Sequence, residues 1–168
     1  LWDHTLAAAG ARVTLARSLY IDKLQPIAAE IYAGLSGGRE QLSLRWESPA
    51  FAPGLTPAEI AARWLAALQA ARRADRGAGF STVGPHREDL TLTLNGTEVR
   101  TYGSQGQQRS AALALKMAEA VLLQEVTGEP PVAFLDDVMS ELDVSRQEYI
   151  LNHIDGWQVF LTGCEPSA

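Results

Sequence analysis

The sequence predicts an α/β fold with a parallel sheet. In the second half of the chain, a long helical pattern at about 107–126 precedes the wholly apolar segment 132–135. A second helical pattern at about 143–154 leads to another apolar segment, 159–161. Short apolar segments that alternate with helices are typical of strands buried on both faces of a parallel sheet. We therefore expect an α/β unit there.

Before this unit, helical periodicity dominates. We expect a mostly helical lobe at residues 1–80 and the α/β unit at residues 81–168. The apolar positions of the first helix recur at three- and four-residue steps: Tyr20, Leu24, Ile27, Ile31 and Leu35. Pro26 should kink or divide this helix, because proline lacks a backbone donor, and Gly37-Gly38 should end it.

A short strand and a second helix complete the predicted lobe. Alternation at 41–46 indicates the strand. Thr56-Pro57-Ala58-Glu59 is a helix start with a capping box, and the helix should bury Ile60, Trp64, Leu68 and Ala71. Arginines at 72, 73 and 76 form either a solvated helix end or a phosphate-contacting patch.

A hairpin should follow the break at Gly77 and Gly79. Leu90, Leu92 and Leu94 alternate, and Asn95-Gly96 is a strong two-residue turn signal. We expect the partner strand at 98–102.

Composition narrows the class of protein. Of 168 residues, 46% are hydrophobic and 20% charged, which is typical of a globular chain. No apolar run approaches the roughly 18 residues of a membrane span, and the single Cys164 fits a reducing cytoplasm. The net charge of −6 does not by itself suggest DNA binding. Because Leu1 stands within a helical pattern, we expect a piece of a longer protein.

Two carboxylates follow the first apolar strand. Asp136 and Asp137 should emerge at its carboxyl end, the edge where open α/β sheets bind ligands. Adjacent acids at that edge suit Mg²⁺ together with an activated water. The alternative is a solvated acidic turn.

A polar segment opens the long helix. Ser104-Gln105-Gly106-Gln107-Gln108-Arg109 would place free backbone N–H groups, a hydroxyl and a guanidinium at the helix N-terminus, where anions bind. The alternative is a plain capping box between Ser104 and Gln107.

Together the two segments resemble the RecF family of ABC/SMC-type ATPases. The residues that carry the resemblance are Tyr102-Gly103-Ser104-Gln105-Gly106-Gln107-Gln108-Arg109, then, after a helix, Phe134-Leu135-Asp136-Asp137-Val138-Met139-Ser140-Glu141-Leu142-Asp143, with Gly84-Pro85-His86-Arg87-Glu88-Asp89-Leu90 upstream. The match is dense over about 83–162 and weaker before it. It implies the C-terminal half of an ABC/SMC-like P-loop ATPase head with an inserted helical lobe.

The resemblance also implies roles for individual residues. A signature motif that touches the γ-phosphate of ATP on a second subunit would comprise Ser104, Gln105, Gly106, Gln107 and Arg109. Asp136 would be the Walker B acid associated with Mg²⁺, and Asp137 stands where most ABC proteins carry the catalytic glutamate. The D-loop at the dimer interface would comprise Ser140, Glu141, Leu142 and Asp143.

Some positions depart from the family pattern or stay ambiguous. Asp137 is one methylene shorter than glutamate, and Thr162-Gly163-Cys164 lacks the histidine that many ABC ATPases carry there, so a slow ATPase is expected. His86 and Arg87 would either brace the junction of the lobes or touch phosphate, the partner subunit or DNA.

No P-loop pattern occurs in these residues. A P-loop needs a lysine after glycine, but Lys23 and Lys116 are the only lysines and neither follows one. We therefore expect this chain alone to be inactive, with ATP and Mg²⁺ binding dependent on an N-terminal part.

The resemblance implies a bacterial cytoplasmic, nucleoid-associated protein of recombinational repair and replication-fork maintenance. ATP between two subunits would drive homodimerisation on duplex DNA and at single/double-strand junctions, and slow, DNA-stimulated hydrolysis would release it. Partners would be RecR and RecO, and indirectly RecA at gaps. Two other functions remain open: a structural SMC-like head without significant turnover, and a metal-dependent hydrolase that uses Asp136 and Asp137 directly.

Overall fold

The computed structural model describes residues 2–139 and 142–163. Its elements in chain order are α1 (Trp2–Ser36), β1 (Leu42–Glu47), α2 (Pro57–Ala78), a 3-10 turn (Pro85–Arg87), β2 (Asp89–Leu94), β3 (Thr97–Glu98), α3 (Val99–Tyr102), α4 (Gln105–Thr127), β4 (Val132–Asp136), α5 (Val144–His153) and β5 (Gln158–Thr162). None of the helices in this part of the chain is long and apolar enough to cross a membrane.

Helix α1 is continuous through Pro26, so the proline does not divide it. Leu24 and Ala28, on either side, are buried, and this packing offsets the hydrogen bond that proline cannot make. The helix ends at Gly37 and Gly38 as expected. Both have positive φ, 63° and 74°, and their N–H groups donate to the carbonyls of the preceding turn.

The hairpin forms at the predicted turn, but its second strand is shorter than expected. Asn95 and Gly96 have φ of 50° and 83°, as a type I′ turn requires. Pairing stops after Thr97–Glu98, and the prediction of a strand at 98–102 is wrong. The chain instead turns into α3, which buries Val99 and leads directly into α4. Strand β1 lies on the other side of β2, so the sheet order is β1-β2-β3.

Strands β4 and β5 pair in parallel, in register from Val132 opposite Gln158 to Asp136 opposite Thr162, and α5 connects them. This confirms the parallel sheet. The expectation that both faces are buried is wrong for these residues. Phe134 is 73% and Phe160 47% exposed, and their rings stack at 4.9 Å. Alternate side chains of a strand point to opposite faces. On the face opposite the two phenylalanines, Ala133, Leu135 and Val159 are half-buried and Leu161 is 51% exposed.

The chain folds as two compact units with interleaved segments. The first comprises Leu1–Asp22 and Leu44–Thr91, and the second comprises Lys23–Ser43 and Leu92–Ala168. The boundary between residues 80 and 81 that the sequence suggested stays a prediction. The first core consists of Ala7, Ala11, Ala50, Ile60, Trp64 and Leu68. Buried side chains of the second unit include Leu24, Ala28, Ile31, Tyr32, Leu35, Ala111, Ala114, Met117, Ala118, Leu122 and Ile150.

Candidate functional site

The N-terminus of α4 carries the first candidate group. Ser104 is the N-cap: its Oγ accepts a hydrogen bond from the Gln107 backbone N–H at 3.3 Å. The Gln107 side-chain oxygen accepts one from the Ser104 N–H at 2.8 Å. The capping box that the sequence allowed is therefore present. Because the Ser104 hydroxyl accepts in this bond, its hydrogen remains available to a ligand, and the residue is exposed.

This helix tip faces a polar cavity of about 510 Å³, which we call the helix-tip cavity. Its lining residues come from four segments of the second unit: Arg39, Glu40, Asn95, Ser104, Gly106, Gln107 and Arg146. Arg146 donates from Nε to the Leu35 carbonyl at 3.3 Å, which fixes its guanidinium beside the tip. Two guanidinium groups and a helix N-terminus favour an anionic ligand here, although the Glu40 carboxylate on the same lining opposes them.

Gly106 has no role in the packing of the described chain. A Cβ at this position would meet only an Arg146 nitrogen, at 3.8 Å, and its backbone is not left-handed. Glycine inside a helix costs about 0.5–1 kcal/mol relative to alanine. Nothing within the described residues therefore requires glycine at this position.

The twin aspartates lie at the carboxyl end of β4, as predicted. The Thr162 hydroxyl at the end of β5 donates to Asp136 Oδ1. The Asp137 N–H points to Thr162 O at 3.2 Å and to Thr162 Oγ1 at 3.1 Å. Asp137 has φ of 53°, a left-handed backbone conformation that costs a non-glycine residue roughly 1–2 kcal/mol.

Both aspartates line a second cavity of about 370 Å³, which we call the aspartate cavity. The cations that line it are Arg109 and Lys116, both from α4. The structure thus separates the predicted signature residues. Ser104, Gly106 and Gln107 line the helix-tip cavity, whereas Arg109 lies with the aspartates. Among the described residues, no three or more His, Cys, Asp or Glu side chains converge on a possible metal position.

The segment predicted as the D-loop is described in part. Ser140 and Glu141 lie outside the described residues. Leu142 lines the aspartate cavity, and Asp143 is the N-cap of α5, accepting from the Arg146 N–H at 3.0 Å. Sequence reasoning missed Gln147, whose side chain donates to the carbonyls of Met139 at 2.7 Å and Leu142 at 3.0 Å.

His86 and Arg87 belong to the 3-10 turn of the first unit. His86 Nε2 lies 3.1 Å from the Ser81 carbonyl oxygen, and the Arg87 guanidinium lies over the Phe80 ring at 5.4 Å. Both make local contacts within residues 80–87, and their role stays a prediction.

The neighbouring Glu88, which the sequence analysis did not single out, holds this turn in place. Its side chain is fully buried, accepting from the Thr14 hydroxyl at 2.5 Å and from Arg17 at 2.8 Å. Arg17 also donates to the Pro85 carbonyl at 2.6 Å. No local pattern marks Glu88, because its partners lie more than 70 positions earlier in the chain.

Two other residues were missed for the same reason. Thr162 and Glu40 each contact a predicted site residue from a distant segment. The only available signal for Thr162 was its place at the end of the strand after the twin aspartates.

Comparison with known proteins places these features in a family context. No protein-family model matches the chain. A DNA replication and repair protein RecF from Rippkaea orientalis is 44% identical over 163 residues, which is 96% of this chain and 43% of the relative. A RecF from a Synechococcus strain is 44% identical over 155 residues, 91% of this chain and 41% of the relative. The chain therefore spans about two fifths of the length of these relatives.

Solved structures agree with the sequence relatives. A structure of the recombination mediator RecF with ATPrS, in the RecFOR pathway, superposes with a TM-score of 0.84 at 38% identity, over 97% of this chain and 44% of that one. The corresponding RecF–ATP structure gives 0.85 at 37% identity, over 99% and 44%. At this identity, the likeness confirms the predicted α/β fold class.

Proposed function

Because this chain matches the C-terminal part of RecF proteins, we propose that the protein acts in DNA replication and recombinational repair as an ATP-dependent DNA-binding dimer. The relatives are named for replication and repair, and the solved RecF structures are of ATP and ATPrS complexes. Over nearly its whole length, this chain corresponds to about two fifths of such a protein. ATP binding and turnover therefore belong to the longer protein.

The observation that carries the proposal is the bare tip of α4. Ser104 and Gly106 are exposed, they line an open cavity, and no packing within the described chain calls for glycine. A triphosphate held by a second copy would approach this tip, where the helix dipole and Ser104 Oγ favour its γ-phosphate. Ligand bridging would then favour the dimer, because the nucleotide contacts the tip only in that state.

The aspartate cavity would serve the nucleotide of its own subunit. Carboxylate oxygens are ligands that Mg²⁺ prefers, so Asp136 would hold such an ion. When bound, Mg²⁺ would neutralise charge on the phosphates. Asp137 would orient the attacking water and accept its proton as the γ-phosphoryl group leaves the β-phosphate.

Two features support slow ATP hydrolysis that also requires residues outside these 168. Asp137 is one methylene shorter than the usual glutamate, which shortens its reach to an attacking water. No lysine in the sequence follows a glycine, so no P-loop is formed here. We infer that these 168 residues alone neither bind ATP tightly nor hydrolyse it.

The wider assignment rests on the family. We propose a cytoplasmic, nucleoid-associated protein that binds duplex DNA and single/double-strand junctions, cooperates with RecO and RecR, and supports RecA loading at gaps. The pathway named for the solved relatives supports these partners. The net charge of −6 indicates that the DNA-contacting basic residues are localised, or lie largely outside these 168 residues.

Ser104→Arg in the intact protein tests the proposal. The larger cation should block the approach of a second copy while leaving the nucleotide of its own subunit untouched. We expect unchanged ATP affinity by fluorescent-nucleotide titration and no ATP-induced dimerisation by analytical ultracentrifugation. Unchanged dimerisation would refute the role of Ser104.

The matched control is Thr56→Arg. Thr56 forms the same kind of capping box with Glu59 at the start of α2, in the other unit. Each variant loses one helix cap, which costs about 1 kcal/mol. If Thr56→Arg also abolished dimerisation, loss of a cap, rather than position at the tip, would explain the effect.

A further inference from the structure

The side chain of Gln107 is held by a carboxylate from a distant part of the chain. Gln107 Nε2 donates to Glu40 Oε1 at 2.6 Å, and the two residues are 67 positions apart. The other oxygen, Glu40 Oε2, accepts from the Tyr32 hydroxyl at 2.9 Å. Tyr32 is only 1% exposed, and burial, followed by the bond and charge of Glu40, raises the pKa of its phenol. Both oxygens of Glu40 are therefore engaged.

The donor and acceptor roles in these hydrogen bonds determine which way the Gln107 side-chain amide points. An ionised carboxylate can only accept, so the amide must turn its NH₂ group towards Glu40. The amide oxygen then faces the opposite way, where it accepts from the Ser104 N–H at 2.8 Å. The donors thus all point the same way, from the Ser104 N–H at the exposed tip of α4 to Gln107, and from Gln107 to Glu40.

Glu40 is itself held in place by the end of α1. Its N–H donates to Ser36 Oγ at 3.4 Å, and the Ser36 hydroxyl lies 3.4 Å from its carbonyl oxygen. Ser36 is buried, with 2% exposure. The carboxylate is therefore presented from a backbone that the α1 terminus fixes, rather than from a freely moving surface loop.

We propose that Glu40 is a positioning residue for the signature motif: it sets the Gln107 amide and, through it, the Ser104 tip that meets a nucleotide of a second copy. The functional part of this inference rests on the proposed function. The positioning part concerns only contacts within the second unit and is measurable without ATP.

Glu40→Gln tests the positioning. Glutamine presents one oxygen and one NH₂ group where Glu40 presents two oxygens, one to Tyr32 and one to Gln107. With its oxygen on the Tyr32 hydroxyl, it turns a donor towards Gln107, whose amide then loses the acceptor that orients it. Because the lost bond involves a charged group, we expect backbone amide exchange at residues 104–108 to accelerate roughly tenfold in the intact protein without nucleotide. The control is Glu119→Gln, because Glu119 is an exposed residue of α4. This variant should leave amide exchange at residues 104–108 unchanged.

A polarity swap separates this role from general structural support. In the double variant Glu40→Gln/Gln107→Glu, residue 40 still accepts from Tyr32 and now donates to the carboxylate at 107. That carboxylate still accepts from the Ser104 N–H. We expect exchange at 104–108 to return to within about twofold of the wild-type rate. Unchanged exchange in Glu40→Gln, or no recovery in the swap, would overturn the proposal.

ATP-dependent dimerisation tests whether positioning by Glu40 affects function. Glu40→Gln should raise the protein concentration for half-dimerisation roughly tenfold, with unchanged ATP affinity of the monomer. If exchange responds but dimerisation does not, while Ser104→Arg abolishes it, Glu40 does not position the motif for function, and the proposal fails. If Ser104→Arg also leaves dimerisation intact, the proposed function fails instead, and the exchange measurements still decide whether Glu40 positions the tip.

Discussion

Replacing Gly34 by alanine should destabilise the contact between α1 and α5. A Cβ on residue 34 would lie 2.0 Å from Cε2 and 2.1 Å from Cζ of Tyr149. The Tyr149 ring would have to move roughly 1.4 Å to restore ordinary contact at 3.4 Å. The ring also stacks on His153 with centroids 5.5 Å apart, and burial, followed by the charge of Glu30, raises the pKa of its phenol. It is therefore held on more than one side.

Two opposing effects set the size of the change. Overpacking of this kind costs about 1–3 kcal/mol. Alanine is favoured over glycine inside a helix by about 0.5–1 kcal/mol. The steric term dominates, and the midpoints of the two ranges give a net destabilisation of about 1.2 kcal/mol. Movement of α5 would also disturb Arg146, one turn earlier on the same helix, which lines the helix-tip cavity.

Hydrogen exchange of the α5 amides in the intact protein measures this change locally. Gly77→Ala is the matched control, because Gly77 lies in α2 and a Cβ there would have no neighbour within 4 Å. It should be neutral or stabilising. In a Tyr149→Ala background, Gly34→Ala should also become neutral or stabilising, since the obstructing ring is gone. If Gly34→Ala also slows hydrogen exchange of the α5 amides when Tyr149 is present, the steric reasoning is wrong.

Two further predictions concern the first unit. The Thr14 hydroxyl accepts from Trp64 Nε1 at 3.0 Å and donates to the buried Glu88, so Thr14→Val should cost about 2–4 kcal/mol in urea denaturation; a cost below about 0.5 kcal/mol would contradict this bonding. Hydrogen bonds from the Thr82 hydroxyl and N–H hold the pKa of Asp75 below its usual range. This carboxylate therefore stabilises the fold above the unfolded-state pKa, and that contribution is lost as pH falls through the lower folded-state pKa. Thr82→Val should raise the Asp75 pKa in an NMR titration, and an unchanged pKa would refute the assignment.

Local features of this protein could be predicted from the sequence. The capping boxes at Thr56 and Ser104, the turn at Asn95-Gly96 and the end of α1 at Gly37 formed as expected. Each depends on hydrogen bonds or backbone angles within about five residues, so neighbouring residue types specify it. The twin aspartates also reached the strand end, since their position depends only on the length of the apolar segment.

The tertiary structure decided what joins these local features. The bond from Gln107 to Glu40 spans 67 positions, that from Thr14 to Glu88 spans 74, and that from Thr162 to Asp136 spans 26. It also placed Arg109 beside the aspartates rather than at the helix tip. No periodicity or motif encodes such pairs, because their partners meet only after hydrophobic burial has fixed the packing of helices and strands. The sequence alone determined the chemical groups of the site, and the packing determined which of them face one another.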